Sequence, residues 1–503
     1  MATRLGHKIA VPGLGRWLGL IVVLSALAPV QQPAAGDAVP AELVKARALL
    51  AKQPFRDLPA TLEAIGEHNL DDCIKLRDNR LLLVFRAQGK GAQPDGDAQR
   101  AQMTFGAYSG DNGATWTEPF AMKGEDGKNI GIPGLGSVIE LKSGALGYYY
   151  RTSDGREGWG ANLQWWRKST DGGRTWSAAT LMLSDPADEQ ARHGRGLAEQ
   201  GASHHGRGLV LASGRVVIPA ANMMYGPIVP RQEDKDWNHV IGEGTKAYQW
   251  GLDHFGTLLY GFCYLSDDEG KSWRRSLTDV FIVLPGRYPV QPQARGGFYN
   301  FEETTAMALR DGQVMMLGRS ILGRPFVSYS KDGGETFFQP VPLDLASPDA
   351  PAMLARFPRT GDILLIWNQT SVEENVNGYS RHRLSAAISQ DEGKSWGHFR
   401  NLESLDDVAR VEPPPLGAAR WHIQQPLDVK GLHGVGGPHY LQPTDRKRYI
   451  RAPGPLRATY PSCRIVGDTV IVRYQFGGQP PDTVVPIRTK QRILPTSWFY
   501  GVK

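Results

Sequence analysis

The chain has little cysteine, no concentration of charge of one sign and, beyond residue 30, no long apolar run. Its three cysteines, Cys73, Cys263 and Cys463, show no zinc-ligand spacing; each sits in an apolar, strand-like run and reads as a small buried hydrophobe. Lys and Arg total 57 against 51 Asp and Glu, a net charge of +6 that is mild for 503 residues. The basic residues are scattered rather than striped, which argues against a nucleic-acid partner and leaves a small anionic substrate open. The one long apolar run, WLGLIVVLSALAPV at 17–30, follows Arg4, Lys8 and Arg16 and precedes the small residues Ala34, Ala35 and Gly36. It is short for a membrane span and has the flanks of an export signal. Residues 1–36 are therefore expected to be removed, giving a secreted or periplasmic protein with no membrane span; an uncleaved anchor is the alternative.

What the chain has in quantity is turn formers and large aromatics, with Gly 59, Pro 35 and Trp 13. They fall in a repeated phrase: Ser, any residue, Asp, any residue, Gly, any residue, Thr or Ser, aromatic. Five copies begin at Ser109 (SGDNGATW), Ser169 (STDGGRTW), Ser266 (SDDEGKSW), Ser330 (SKDGGETF) and Ser389 (SQDEGKSW). Ser and Asp side chains can bond backbone N–H groups within such a turn, Gly supplies a positive φ, and the aromatic can be buried between units. Apolar hairpin patterns alternate with the boxes, at 73–85, 137–150, 209–220, 305–317 and 352–367, and a sixth, 463–474, has no box. The boxes are spaced by 60, 97, 64 and 59 residues. About sixty residues holds a four-stranded unit with its loops, so the long interval contains an insertion near 184–250, and another lies at 401–455. A short helix is expected within 41–53, in a lead-in of 37–64, before the repeats begin near residue 65.

The boxes resemble the Asp box of the sialidase (neuraminidase) superfamily. The resemblance implies an all-β fold, a six-bladed β-propeller over 65–503 with rim insertions. A propeller brings the chain ends together, so a Cys73–Cys463 disulfide is conceivable. The boxes themselves say nothing of chemistry.

Two segments carry the functional resemblance. In FEETTAMALRDGQVMMLGRS, 301–320, Glu303, Asp311-Gly312 and Arg319 fall at the sialidase spacing of a strand-opening Glu, a turn and a strand-closing Arg. In ATYPSCRIVGDTVIVRYQF, 458–476, Tyr460 stands where sialidases open the last blade with a nucleophilic Tyr. The resemblance implies that Glu303 activates Tyr460 and that Arg319 and Arg381 hold a substrate carboxylate, a task suited to the planar guanidinium fork; Arg383 is the near rival of Arg381. The family's first arginine is missing: the chain reads His68-Asn69-Leu70-Asp71-Asp72 there. Arg86, Arg457 or Arg207 are the candidates to compensate. The acid/base is expected in the loop 86–102, at Asp97 rather than Asp95, with the pair Asp71 and Asp72 as a substitute. HGRG occurs at 193–196 and again at 205–208, so His205 and Arg207, with His204, are expected to line the central cavity. A metal held by His193, His204 and His205 lacks an acidic partner, and no metal or other cofactor is expected.

The leading expectation is thus an exported, monomeric exo-glycosidase that removes a terminal acidic sugar from a glycan or glycoconjugate with retention. The alternatives are a carbohydrate-binding propeller without catalysis, and another polysaccharide hydrolase or lyase on the same fold.

Overall fold

Each box serine is the last residue of a β-strand, so the repeat in the sequence is a repeat in space. In the computed structural model the described residues are 68–88, 102–130, 136–153, 162–182, 199–203, 207–224, 258–284, 297–320, 322–371, 374, 379–416, 456–478 and 485–501. The signal segment, the lead-in helix and most of both insertions lie outside them.

Among the described residues six antiparallel sheets of three or more strands follow one another along the chain, each running in strand order from first to last. Blade one is His68–Lys75, Leu81–Gln88, Gln102–Ser109 and Phe120–Ala121. Blade two is Gly136–Glu140, Leu146–Ser153, Asn162–Ser169 and Thr180–Leu181. Blade three is built on Glu199–Ser203, Val216–Met224, Leu258–Ser266 and Arg274–Arg275, with Leu209–Val210 also paired to its second strand. Blade four is Glu302–Ala308, Val314–Arg319, Phe326–Ser330 and Val341–Pro342. Blade five is Met353–Arg356, Ile363–Gln369, Arg383–Ser389 and Gly397–Glu403. Blade six is Arg457–Val466, Thr469–Gly478 and Val485–Pro495, followed by a short helix, Thr496–Tyr500. The first strands of blades one and two, four and five, five and six, and six and one touch one another, and in blade three it is Leu209–Val210 that touches the first strands of blades two and four. The molecule is a six-bladed β-propeller, nearly all β.

The core is divided into six apolar layers, one at each interface between blades. Ile74, Leu82 and Val84 of blade one meet Val138, Tyr148 and Trp176 of blade two. Corresponding layers join two to three, three to four, four to five and five to six. The ring is closed by Cys73, Leu81, Leu83 and Phe85 of blade one against Val466 and Ile471 of blade six. The second strands read as nearly continuous apolar runs, Val314–Arg319 and Ile363–Gln369 for example, because both faces of a blade are covered. All three cysteines are free and buried. Cys73 packs in the six-to-one layer and Cys463 in the five-to-six layer, so strand alternation points them into different interfaces and the disulfide is not formed.

The box turns are nearly superimposable in their bonding. The Ser hydroxyl donates to the Asp carboxylate at 2.7–2.8 Å in all five. The Gly N–H donates back to the Ser hydroxyl at 2.7–2.9 Å. The Thr or Ser hydroxyl two residues after that Gly closes on the other carboxylate oxygen at 2.5–2.6 Å. Trp176 and Trp273 of the second and third boxes are buried, and Trp273 packs edge-on against Trp166 of blade two, 5.1 Å between centroids. The box aromatic therefore ties one blade to the next.

Gly173 and Gly312 both have left-handed backbone, φ 97° and 85°, but only Gly173 is packed: a Cβ there would lie 2.5 Å from Leu82 of blade one, whereas Gly312 is open. Gly312→Ala is expected to cost about 1 kcal/mol in backbone strain, and Gly173→Ala about 1–3 kcal/mol more from overpacking. Denaturant unfolding of the two variants checks the difference; equal losses would show that the box does not wedge the blades.

Candidate active site

The first strands of blades one, three, four and six each carry one residue more than their neighbours. The register slips between Leu70 and Asp72, between Gln200 and Ser203, between Glu302 and Thr305, and between Thr459 and Ser462. Such a bulge bends the strand and re-aims a side chain. At two of them the extra turn leaves a non-glycine residue left-handed, Glu303 at φ 43° and Tyr460 at φ 55°. Each costs about 1–2 kcal/mol, and surrounding contacts must impose it. Phe301, fully buried, wedges blade four against blade three where Gly261 and Gly318 leave no room for a Cβ, 2.6 and 2.8 Å away. The chain enters the Glu302–Glu303 bulge from that anchor.

The two strained residues meet. The Tyr460 hydroxyl donates to Glu303 Oε1 at 2.8 Å across 157 residues of sequence. Burial, and then the charge of Glu303, push the phenol above its ordinary value, against the opposing pull of Arg319 and Arg381. At neutral pH it keeps its proton unless a base in contact removes it. Glu303 is the carboxylate in contact with it.

Arg319, almost wholly buried, spends its guanidinium on carboxylates. It pairs with Glu303, with Glu302 at 3.2 Å and with Asp349 at 2.8 Å. Arg381 and Arg457 lie on the tyrosine, 5.5 and 5.8 Å from its ring centroid. Arg381 donates to the Asp349 carbonyl at 2.5 Å. Burial and then the neighbouring Arg381 lower the Arg457 pKa to about 10. Glu302 and Asp349 carried no signal in the sequence beyond the doubled Glu of FEETT, since Asp349 lies in a loop outside the repeat.

Asp72 forms a separate node. It accepts from Ser137 at 2.5 Å and Val138 N–H at 3.1 Å in blade two, from Arg207 at 2.8 and 3.0 Å, and from Arg464 of blade six at 3.2 Å. Arg207 also donates to the Cys463 carbonyl, and Arg464 to that of Cys73. Burial alone would raise the Asp72 carboxyl, but Arg207, Arg464 and Ser137 overcome it and hold it at about 2. A carboxyl so placed is a poor proton donor, which removes Asp72 as the substitute acid, and its partner Arg207 is engaged in this node. Asp71 is the inserted residue of the blade-one bulge.

Arg383, the rival of Arg381, is buried among Glu374 at 2.7 Å and Asp406 at 2.5 Å. With His382 these two carboxylates form a group of the size that holds a metal ion, but the guanidinium already supplies the cation. Asp95, Asp97, His193, His204 and His205 lie outside the described residues.

The sequence profile of the BNR repeat-like domain family matches residues 143–470. The chain belongs to this family. No curated protein sequence matches it. Among solved structures, a protein of unknown function from Dyadobacter fermentans is 16% identical with a TM-score of 0.46, over 85% of this chain and 95% of its own. A Hadza microbial sialidase is 17% identical with a TM-score of 0.43, over 68% and 59%. The NanB sialidase of Streptococcus pneumoniae is 13% identical with a TM-score of 0.47, over 88% and 71%. The chain thus spans less than two thirds of the Hadza microbial sialidase. The profile begins in the first hairpin turn of blade two and ends in the hairpin of blade six, so this BNR repeat-like propeller carries Glu303, Arg319, Arg381, Arg457 and Tyr460 inside the matched region and Asp72 outside it.

The folded Asp72 carboxyl, at about 2, lies below its ordinary 3.8. Its contribution is fully present above about pH 4 and is lost as pH falls through 2; the shift corresponds to about 2 kcal/mol. Asp72→Asn is expected to melt at lower temperature than wild type at pH 7, with the gap narrowing between pH 4 and pH 2. A gap independent of pH would rule out the ion pairs as its source.

Proposed function

We propose that this protein is a sialidase-like glycoside hydrolase that cleaves a terminal acidic sugar with retention, and the observation that carries the reading is the Tyr460–Glu303 hydrogen bond. A phenol is a weak nucleophile until its proton has somewhere to go. Glu303 accepts that proton as the Tyr460 oxygen bonds to the anomeric carbon and the bond to the leaving oxygen breaks. An acid, for which Asp97 remains the candidate, protonates that oxygen. Water, giving a proton to the acid that was ionised in the first step, then attacks the anomeric carbon from the face the leaving oxygen vacated; the bond from that carbon to the Tyr460 oxygen breaks, and Tyr460 takes its proton back from Glu303. Two inversions give retention. A neutral phenol approaches a carbon bearing a carboxylate without the repulsion that a carboxylate nucleophile would meet. Backbone strain at both reacting residues supports the assignment, because such strain collects at functional sites. The substrate is a glycan or glycoconjugate, and the signal-like first 36 residues suit a secreted or periplasmic enzyme.

A non-catalytic carbohydrate-binding propeller is the second reading, favoured by Asp72 standing where sialidases place an arginine. Kinetics on aryl sialosides and aryl uronides separate the two. Glu303→Gln is expected to lower kcat by about 10²–10⁴-fold, and Tyr460→Phe to abolish turnover while sugar binding persists. Proton NMR of the first product should show the retained anomer. Tyr460→Phe turning over at the wild-type rate would sink the hydrolase.

A further inference from the structure

We propose that the helix Thr496–Tyr500 is the sixth wedge of the ring: it takes the place of the box that blade six lacks, and its Phe499 is a positioning residue that docks the tyrosine-bearing blade on blade five. The wedge rests on geometry alone; its consequence for turnover rests on the reading of Tyr460 as the nucleophile.

The five boxes share a direction. Each follows the third strand of its blade, and each sends its aromatic to the layer shared with the preceding blade. Trp116 lies in the layer between blades six and one, Trp176 between one and two, Trp273 between two and three, Phe337 between three and four, and Trp396 against that between four and five. The layer between five and six receives no box aromatic, because the third strand of blade six, Val485–Pro495, runs into the helix instead. Phe499 fills that layer. It is 1% exposed, its ring centroid lies 6.2 Å from that of Phe357 at the hairpin turn of blade five, and Trp498 and Tyr500 pack on the same cluster.

The polar contacts repeat as well. Box turns bond the first hairpin turn of the blade before them: Glu269 accepts from the Ser143 N–H and hydroxyl at 2.9 Å, and Glu392 from the Arg310 N–H at 2.9 Å. In the fourth box the Asp332 and Gly333 carbonyls accept from Arg215, in the corresponding turn of blade three, at 3.2 and 3.4 Å. In blade six the helix makes this bond. The Tyr500 hydroxyl donates to Asp362 at 2.7 Å and lies 2.9 Å from the Thr360 hydroxyl, both in the first hairpin turn of blade five. Thr496 N–H donates to the Asp468 carbonyl at 2.8 Å, which ties the start of the helix to the hairpin of its own blade. Arg400 of blade five lies 4.8 Å from the Trp498 ring centroid and donates to the Trp498 carbonyl. A helix of five residues is not stable by itself; these contacts impose it.

The same layer reaches the site. Ala458 and Cys463, on either side of the bulge at Tyr460, pack in it with Phe499. Removing the Phe499 ring leaves a cavity between blades five and six, beside the strand whose bulge aims the phenol at Glu303.

The test is hydrogen exchange read by mass spectrometry on the full-length protein, with Phe499→Ala set beside Trp273→Ala, which empties the layer between blades two and three. Phe499→Ala is expected to speed exchange across 457–478 and 485–495 by about tenfold or more while blades one and two keep the wild-type rate. Trp273→Ala should speed exchange in blades two and three and leave blade six as in wild type. Phe499→Leu, which keeps more of the apolar volume, should give the blade-six pattern more weakly. With a substrate that the wild type turns over, Phe499→Ala should lower kcat by about tenfold or more with KM within about twofold, and Trp273→Ala should keep the wild-type kcat. The wedge is overturned if Phe499→Ala leaves blade six protected, if it loosens all six blades alike, or if Trp273→Ala loosens blade six as much. Should Phe499→Ala not fold, Phe499→Leu and Tyr500→Phe, which deletes only the hydroxyl bonded to Asp362, must show the same localisation. Faster exchange in blade six with kcat unchanged would remove the positioning of Tyr460. A protein that hydrolyses nothing removes the hydrolase and the consequence for turnover, while the exchange pattern still decides the wedge.

Discussion

Blade six is held against blade one, and the arrangement of every other functional group follows from that contact. Its apolar part is the layer of Leu81, Leu83 and Phe85 against Val466 and Ile471. Its polar part is Asp72, which gathers Arg464 from blade six, Arg207 from blade three and Ser137 from blade two. Closing a chain of several hundred residues on itself costs entropy that grows only slowly with length, and a dry layer with a satisfied buried ion pair offsets it. Within the ring, blade five lies between Glu303 of blade four and Tyr460 of blade six and its first strand touches the first strands of both, so two residues far apart in the chain stand within one hydrogen bond.

The ring also sorts the buried charges into two groups with different work. At the first-blade side, one carboxylate is shared by two arginines whose remaining donors reach strand carbonyls, so the group is saturated and structural. Burial and then Arg207 lower the Arg464 pKa to about 10, the mark of a cation that its surroundings only just support. On the side of blades four to six, three carboxylates converge on Arg319 while two guanidiniums lie over a phenol. Buried pairs of this kind add little to stability compared with apolar packing. Their effect here is geometric: they fix which oxygen faces which hydrogen, and they do so beside two residues whose backbones are strained.

Much of this was legible in the chain. A box of eight residues is a complete local structure, and its Ser, Asp and Gly bond to one another without help from elsewhere, so five copies gave five turns at five strand ends. The hairpins were equally local. Glu303 and Arg319 could be paired on paper because they close the same hairpin, in register at Glu302 and Arg319. Arg207 looked like a cavity residue because its glycine-rich neighbourhood suggested a rim, yet its side chain turns to Asp72. Arg383 and Arg381 are indistinguishable by sequence; Arg383 opens the third strand of blade five and lies among carboxylates, whereas Arg381 belongs to the turn before that strand and lies over the tyrosine. Asp349 had no repeat frame to mark it and gains its role only from blade four lying next to blade five.

The sequence by itself therefore determined the turns, the strands and the number of blades, because each depends on residues within a few positions of one another or on a spacing that repeats. Only the tertiary structure decided that Arg319 and Arg383 are paired with carboxylates while Arg381 and Arg457 lie over the tyrosine, and that Asp72 joins three blades. Those outcomes turn on which charges become neighbours after the ring has closed, and Coulomb interactions between residues brought together by folding leave no trace in the order of the chain.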